Sequence, residues 1–551
     1  MSQLEPVIFL LALLVGLSAV APRLKLPYPV LLVAAGGLVA LLPLPPVVLS
    51  PDVVFLLFLP PLLYEASFNM SWHDFVAYRR EISLLAVGLV LATTTAVAAI
   101  AHYFIPGFSW PLGFVLGAIV APPDAVAATS VTRGLGLPKK ITAILAGESL
   151  VNDASALIAY RYAVAAVVSG TFAFWHAAGQ FFVVAGGGAV IGLALGWAVA
   201  AVQRRLTTPT LATAVTLLVP YVAYLLAERL GVSGVLAVVF MGLVISRRSH
   251  EIYDNRARLQ NSSFWQVFGF LLNGLVFILI GLQLRTVFTG LGPHAWLPTV
   301  GYGLLISVVA VAIRLGWVFP VATLAAFIHS WRHRAAAPVP LRSLFITSWA
   351  GMRGVVSLAT ALALPLAVAG GQPFPLRNAV LCITFVVILF TLVVQGLTLP
   401  WFVRRLGVQD PPGEGTREQQ ELRLALIDDS VAFLNAQPAA EAPPEAVRHI
   451  LCGLLDGQAD RLRRIVATAD GDPAPTDTAD DLTSFVAFEQ LLRARLAVVD
   501  HQRGLLLHLH RADAYSEEAI RRVELEIDLL ESALRTQLQN VQRPADAAPG
   551  N

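Results

Sequence analysis

The feature that most constrains this chain is a succession of apolar stretches over residues 1–405. They lie at approximately 3–21, 28–46, 52–70, 82–104, 111–131, 140–168, 179–202, 209–228, 232–246, 262–285, 297–328, 342–368 and 379–403. A hydrocarbon core about 30 Å thick takes about 20 apolar residues as a helix. The thirteen windows therefore predict an all-α, polytopic membrane protein. The first window reads as a retained span. It lacks a basic leading segment and a small-x-small cleavage site, and Pro22-Arg23 follows it directly. Hydrophobic residues make up 56% of the chain and charged residues 13%, against about 25% charged in a soluble domain. This composition excludes an ordinary soluble enzyme, a disordered chain and a nucleic-acid binder. Residues 1–405 hold only 11 of the 36 acids. Two domains are expected, a transmembrane domain at 1–405 and a polar tail at 406–551. The two cysteines, Cys382 and Cys452, cannot build a disulfide framework or a zinc site.

Loop charges set the orientation. With the N-terminus outside, the odd-numbered loops face the cytoplasm. They carry Arg23 and Lys25; Arg79 and Arg80; Arg133, Lys139 and Lys140; Arg204 and Arg205; Arg247, Arg248, Arg256 and Arg258; Arg332, Arg334 and Arg342; then Arg404 and Arg405. The even-numbered loops carry only Arg229, Arg285 and Arg377. This is positive-inside alternation, and it predicts an outer N-terminus and a cytoplasmic C-terminus. An odd count also allows windows 1–6 and 8–13 to be repeats of opposite orientation. Many secondary transporters follow that plan, with midplane sites on broken helices. Two corresponding windows are interrupted here, the fifth by Ala121-Pro122-Pro123-Asp124 and the twelfth by Gly351-Met352-Arg353-Gly354. Two prolines remove two backbone donors. Such a break is tolerated at depth only within protein or beside a water-filled cavity.

A charge at the bilayer centre costs at least about 2.5–3.5 kcal/mol, so the few inside the windows stand out. Glu5, Asp52, Asp74, Glu81, Glu228, Glu251 and Asp254 fall at ends or loops, leaving Glu65, Asp124, Glu148 and Asp153 within spans. The intramembrane cations are Arg161, Arg314 and Arg353. Ser149 and Asp153 are four apart and share a helix face, and Glu148 and Asn152 share the neighbouring one. A hydroxyl one turn from a carboxylate offers hard oxygens to a small cation, and the carbonyl of Pro123 beside Asp124 adds another. Hard oxygens without a Cys or His cluster point to an s-block cation or a proton. Glu148 reads as structural, paired with a buried arginine, for which Arg353 is the natural choice. Arg161 reads as a structural or snorkelling residue, Arg314 as a local charge partner or anchor, and His102 as an interfacial side chain. Glu65 follows Pro60-Pro61 and is a candidate for the cation path. Low dielectric favours a neutral carboxyl and a bound cation favours the charged form, so one carboxylate can hold a proton or a cation but not both. If only loaded forms change face, exchange follows. No G-x-x-x-x-G-K-[ST] loop is present, so ion gradients would supply the energy.

The stretch Leu145-Ala146-Gly147-Glu148-Ser149-Leu150-Val151-Asn152-Asp153-Ala154 resembles the sixth-helix signature of the monovalent cation:proton antiporter-1 family, the sodium/proton exchangers. Gly351 to Ala359 is similar to that family's Gly-x-Arg-Gly segment, Leu59 to Glu65 to its third-helix motif, and Asn273 to Leu284 to its bacterial tenth helix. The resemblance implies inverted repeats with crossed broken helices and a homodimer in a bacterial inner membrane. It implies a core that moves elevator-fashion against a dimerisation domain. Na+ would be held at Asp153, Ser149 and the Pro123 carbonyl, with Asp124 at the break, Glu65 nearby and Asn152 supporting. Glu148 would pair with Arg353. An Asn-Asp pair belongs to the electroneutral branch. The family usually has Thr-Asp-Pro at the fifth-helix break; here Pro123-Asp124-Ala125 lacks the hydroxyl, which leaves Na+, Li+ and K+ open. The rivals are a K+/H+ exchanger of the same fold, a cation channel, and an intramembrane enzyme, for which no Ser/His or paired-Asp motif is present. The expected cofactor set is empty; Na+ and H+ are cargo.

The tail has linker signals at Asp410-Pro411-Pro412-Gly413 and Asp470-Gly471-Asp472-Pro473-Ala474-Pro475. Amphipathic helices are expected at about 418–436, 443–468, 479–512 and 515–541. They predict a cytosolic helical domain without nucleotide, calcium or metal motifs.

Overall fold

The computed structural model describes residues 4–24, 26–42, 55–132, 135–170, 174–253, 255–291, 295–332, 340–368, 372–408 and 517–542, with scattered residues between 424 and 504. Lys25, Asp52, Arg133, Asp254 and Arg334 lie outside the described residues, as do both tail linkers and most of the first three expected tail helices. The chain divides into two compact units, Met1–Gln409 and Asp410–Asn551.

Among the described residues of the first unit, each apolar window contains helix. In chain order these are α1 (Leu4–Leu24), α2 (Tyr28–Ala40), α3 (Leu59–Asn69), α4 (Arg79–Phe104), the halves α5a (Trp110–Val120) and α5b (Ala125–Thr132), α6 (Lys139–Ser169), α7 (Phe174–Gln203), α8 (Pro209–Arg229), α9 (Gly234–Ile252), α10 (Asn255–Thr289), α11 (Trp296–Arg332), the halves α12a (Leu341–Trp349) and α12b (Val355–Leu362), and α13 (Arg377–Leu406). Among the described residues, seven helices are long and apolar enough to cross a membrane, within α4, α6, α7, α8, α10, α11 and α13. Strands are absent among the described residues, apart from one isolated bridge between Ala367 and Pro373. Local chemistry sets several ends. The Ser233 hydroxyl caps α9 at the Leu236 amide, 3.3 Å away. Gly170 and Gly407 take left-handed backbone (φ 72° and 62°) where α6 and α13 stop.

The helices pack as two groups. One contains α4, α5, α6, α11, α12 and α13, in which α4 lies on α5a, α5a on α6, and α11 on α12a and α13. The other contains α1, α2, α3, α7, α8, α9 and α10, in which α7 lies on α9, α2 on α10, and α3 on α9. Without water to drive association, helices in lipid rely on close backbone approach at small residues. Gly36 of α2 and Gly281 of α10 meet in this way. A Cβ at either position would overlap backbone atoms of the other helix. Large side chains such as Trp175, Phe182 and Trp197 of α7 are left exposed, as a lipid-facing surface requires.

In the second unit, α14 (Glu517–Gln542) packs Ile527 and Leu534 against Leu492 and Val499. Arg503 reaches Asp528 (2.6 Å) and Glu531 (2.5 Å). The Arg535 and Arg503 guanidiniums hold the Glu531 carboxyl below its usual range.

The α2–α10 contact predicts that Gly281→Leu lowers the melting temperature of the purified protein. Overpacking costs about 1–3 kcal/mol or more, and the obstructing atoms here are backbone. Gly301→Ala serves as the control, because a Cβ there meets nothing within 4 Å; its melting temperature should equal or slightly exceed the wild type, since alanine favours a helix interior over glycine.

Candidate cation and proton site

The two interrupted helices meet at their breaks. Residues 121–124 are unwound between α5a and α5b, and residues 351–354 between α12a and α12b. The Asp124 amide donates to the Met352 carbonyl at 2.6 Å, so one break satisfies the other. Each break exposes carbonyls at one helix end and amides at the next, with opposite partial charges. Asp124 answers the amides. Its Oδ1 accepts from the Val126 and Ala127 amides of α5b at 2.8 and 3.4 Å. Its carboxylate also lies over Gly354 at the start of α12b, so close that a Cβ on Gly354 would overlap it. Arg353 answers the carbonyls: Nε donates to Val120 O at 3.1 Å and Nη1 donates to Gly351 O. The Asp124 carboxyl thus faces two amino ends and the buried Arg353 guanidinium faces two carboxyl ends.

Neighbouring helices hold each break. Asn152 on α6 donates from Nδ2 to Pro123 O at 2.9 Å. Thr391 on α13 accepts from the Arg353 amide at 3.1 Å. Thr391 opens a π-helical turn, Thr391–Gln395, a distortion common at functional sites.

The expected pairing of Glu148 with Arg353 is corrected. Glu148 is bound by Arg314 of α11 through two hydrogen bonds of 2.5 and 2.8 Å, with both side chains 1% exposed. Arg314 also donates to Thr347 O at 3.2 Å, tying α6, α11 and α12a together. The physical reason is that the Arg353 donors are engaged by helix-end carbonyls. The Arg314 stem passes over Gly351, where a Cβ would collide with it. Arg161 of α6 pairs at 2.7 Å with Glu228 in the last turn of α8, and His102 Nδ1 lies 2.8 Å from Phe108 O.

Asp153 is 7% exposed. It opens on a cavity of about 1420 Å³ also lined by Asp124, Pro123, Ser149 and Glu65. Five of the six expected site residues therefore meet at one cavity, and Asn152 stands behind it, fully buried. Glu148 and Arg353 are buried outside it. The Glu65 carboxylate lies against Gly269 of α10. The cavity reaches Pro22, Asn69, Leu135 and Arg404, which lie at or beside the helix ends next to arginine-bearing loops. Asp153, Asp124, Ser149, Glu65 and the Pro123 carbonyl offer oxygen donors, and no cluster of three His, Cys, Asp or Glu residues suited to a metal occurs among the described residues. Such donors suit a hard monovalent cation or a proton.

A sequence model described as the transmembrane sodium/hydrogen exchanger matches residues 9–405. The chain belongs to that family. The family comprises ion transporters rather than enzymes, and this chain is a multi-pass membrane protein. It is 34% identical over 539 residues to a protein named an uncharacterised Na+/H+ exchanger from Mycobacterium tuberculosis, covering 96% of this chain and 95% of that one. It is also 34% identical to a protein from Bacillus pumilus named a sodium, potassium, lithium and rubidium/H+ antiporter, covering 80% of this chain and 66% of that one. Its fold is similar to the solved sodium proton antiporter MjNhaP1 of Methanocaldococcus jannaschii at pH 8, with TM-score 0.55, 18% identity, and coverage of 72% of this chain and 97% of that one.

Sequence reasoning missed the Glu148–Arg314 pair, although a lone arginine inside an apolar helix signals a buried acidic partner. It also missed the Thr391 tether, for which a threonine in an apolar run carries no distinct signal.

Removing one member of a buried ion pair leaves an uncompensated charge, at a cost of about 3–5 kcal/mol. Glu148→Leu and Arg314→Leu should each lower the melting temperature sharply, and the double variant should recover part of the loss. Glu148→Leu with Arg353→Leu should recover none. The reverse pattern would assign the partner to Arg353.

Proposed function

We propose that this exchanger moves Na+ in one direction and H+ in the other, one for one, with Asp153 carrying either ion. The observation that carries this reading is the placement of Asp153: a buried carboxylate on an unbroken helix, facing the cavity beside two crossed helix breaks. Ser149 and the Pro123 carbonyl add cation oxygens, Asp124 sets the local charge, and Glu65 stands on the approach. Asn152 holds the break without adding a second titrating acid to Asp153. One carboxylate that takes one Na+ or one H+ moves one charge each way, so net exchange is electroneutral.

The packing of α4–α6 with α11–α13, and of α1–α3 with α7–α10, supports an elevator motion of the first group against the second. Homodimerisation through the second group would anchor it. The cavity reaches helix ends at the arginine-bearing loops, which supports an inward-facing form with the N-terminus outside and the C-terminus in the cytoplasm of a bacterial cell. The tail is proposed as a cytosolic helical domain beyond residue 405. A K+/H+ exchanger of the same mechanism is the second reading, favoured by the cation range in the name of the Bacillus pumilus relative.

The test is proton movement in reconstituted vesicles carrying an acid-inside pH gradient. Na+ should collapse the gradient without building a membrane potential, and Asp153→Asn should abolish the response. Activity with K+ alone would select the second reading. A conducted current would identify a channel. Because proton and cation compete for one carboxylate, lowering the pH protonates it and removes the cation site. The apparent KM for Na+ should therefore rise as pH falls, measured over a Na+ titration at several pH values. A KM independent of pH would overturn the shared carboxylate.

A further inference from the structure

Two hydroxyls on the cavity wall, those of Ser18 on α1 and Ser357 on α12b, make no hydrogen bond, and Ser357 is the one beside the helix breaks. Ser357 lies in the first turn of α12b, lines the cavity with Asp153 and Asp124, and is 1% exposed. Its hydroxyl makes no hydrogen bond. Other hydroxyls on α12 turn back onto their own helix: Thr347 donates to Ser343 O at 3.0 Å, Ser348 to Leu344 O at 2.8 Å, and Thr360 to Val356 O at 2.6 Å. That local bond is the ordinary resting place for a helical serine in an apolar setting. Ser357 is the third residue of α12b, so no helical turn precedes it to offer such a carbonyl, and its buried hydroxyl is left unsatisfied, which is costly unless another partner arrives.

We propose that the Ser357 hydroxyl belongs to the oxygen shell of the transported cation and helps set which cation is carried. The inference rests on the exchange reading above and deepens it. Side chains on a helix tilt toward its amino end, so Ser357 leans toward Gly354 and the Asp124 carboxylate above it. Asp124 Oδ1 is engaged by two amides of α5b, while its carboxylate crowds Gly354. The amino end of α12b alone would repel a cation. Asp124, standing over that end, reverses the local sign and makes an oxygen ligand there usable. A hard cation leaving water needs several oxygens to replace its hydration. The Pro123 carbonyl already accepts from Asn152. Ser357 supplies a further neutral oxygen on the α12 side, opposite the oxygens supplied by α6.

The experiment compares wild type, Ser357→Ala and Ser357→Cys in the vesicle assay, titrating Na+, Li+ and K+ separately. Cysteine keeps nearly the same volume and replaces a hard oxygen with a soft sulfur. Loss of one ligand worth a typical hydrogen bond corresponds to about a 5–10-fold change in binding. Both variants should raise the Na+ KM by about that factor and change the ratio of KM values among the three cations. Stabilisation of the purified protein by added Na+, read as a melting-temperature shift, should shrink in step. Unchanged KM values and cation ratios in both variants would overturn the proposal. So would an equal loss for all three cations with a lower melting temperature in cation-free buffer, which identifies a packing role. If wild type shows no cation-driven proton movement, the exchange reading fails, and this inference with it. Wild-type exchange with unaltered Ser357 variants defeats the inference alone.

Discussion

Backbone polarity inside an apolar medium is the constraint on which the rest of this molecule depends. Two helices are interrupted in mid-course, and each interruption would leave carbonyls and amides without water. The structure crosses the interruptions, so that the Asp124 amide meets the Met352 carbonyl. It then places one carboxyl of the cavity wall at the amide ends and one buried guanidinium at the carbonyl ends. Among the described residues, neither Asp124 nor Arg353 forms an ion pair. Each is hydrogen-bonded by the backbone of broken helices. Side chains held in this way fit nowhere else in the group, so the crossing and its two polar side chains form one unit.

The surrounding helices turn that crossing into a framed site. α6 and α13 each send one polar side chain to one break, Asn152 to Pro123 and Thr391 to the Arg353 amide. This equivalence matches the order of the helices, since each unbroken helix directly follows the broken helix it holds. The Glu148–Arg314 pair closes the same group from the other side by joining α6, α11 and α12a. Asp153 occupies the face of α6 that no such bond claims, beside a cavity and away from the structural pair. One helix therefore carries two adjacent faces, one of which locks the group together while the other opens on the cavity.

Much of this was legible in the chain. The apolar windows located the helices because lipid demands about 20 apolar residues per crossing. The Pro122-Pro123 pair and the Gly351–Gly354 segment located both breaks, because paired prolines and closely spaced glycines do not sustain a helix in isolation. Asp153 and Ser149 were recognisable from their spacing, and their meeting with Asp124, Pro123 and Glu65 at one cavity followed from the fold. The partner of Glu148 was not legible. Two arginines were available, and the choice depended on which guanidinium the helix-end carbonyls had already engaged. Ser357 was equally silent, since a serine next to valines reads as filler until its missing hydrogen bond is seen.

The sequence by itself determined that the chain is a membrane protein, where its helices run and break, and which few charges must have a purpose. Those conclusions follow from local quantities: hydropathy, helical period and the chemistry of proline. Only the tertiary structure decided which charges answer each other, because two arginines in different helices are chemically alike until the packing sets their distances. Arg314 passes over Gly351 to reach Glu148, and Arg353 turns to Val120 and Gly351 instead. That division leaves Asp153 facing the cavity with oxygen neighbours and no arginine bond.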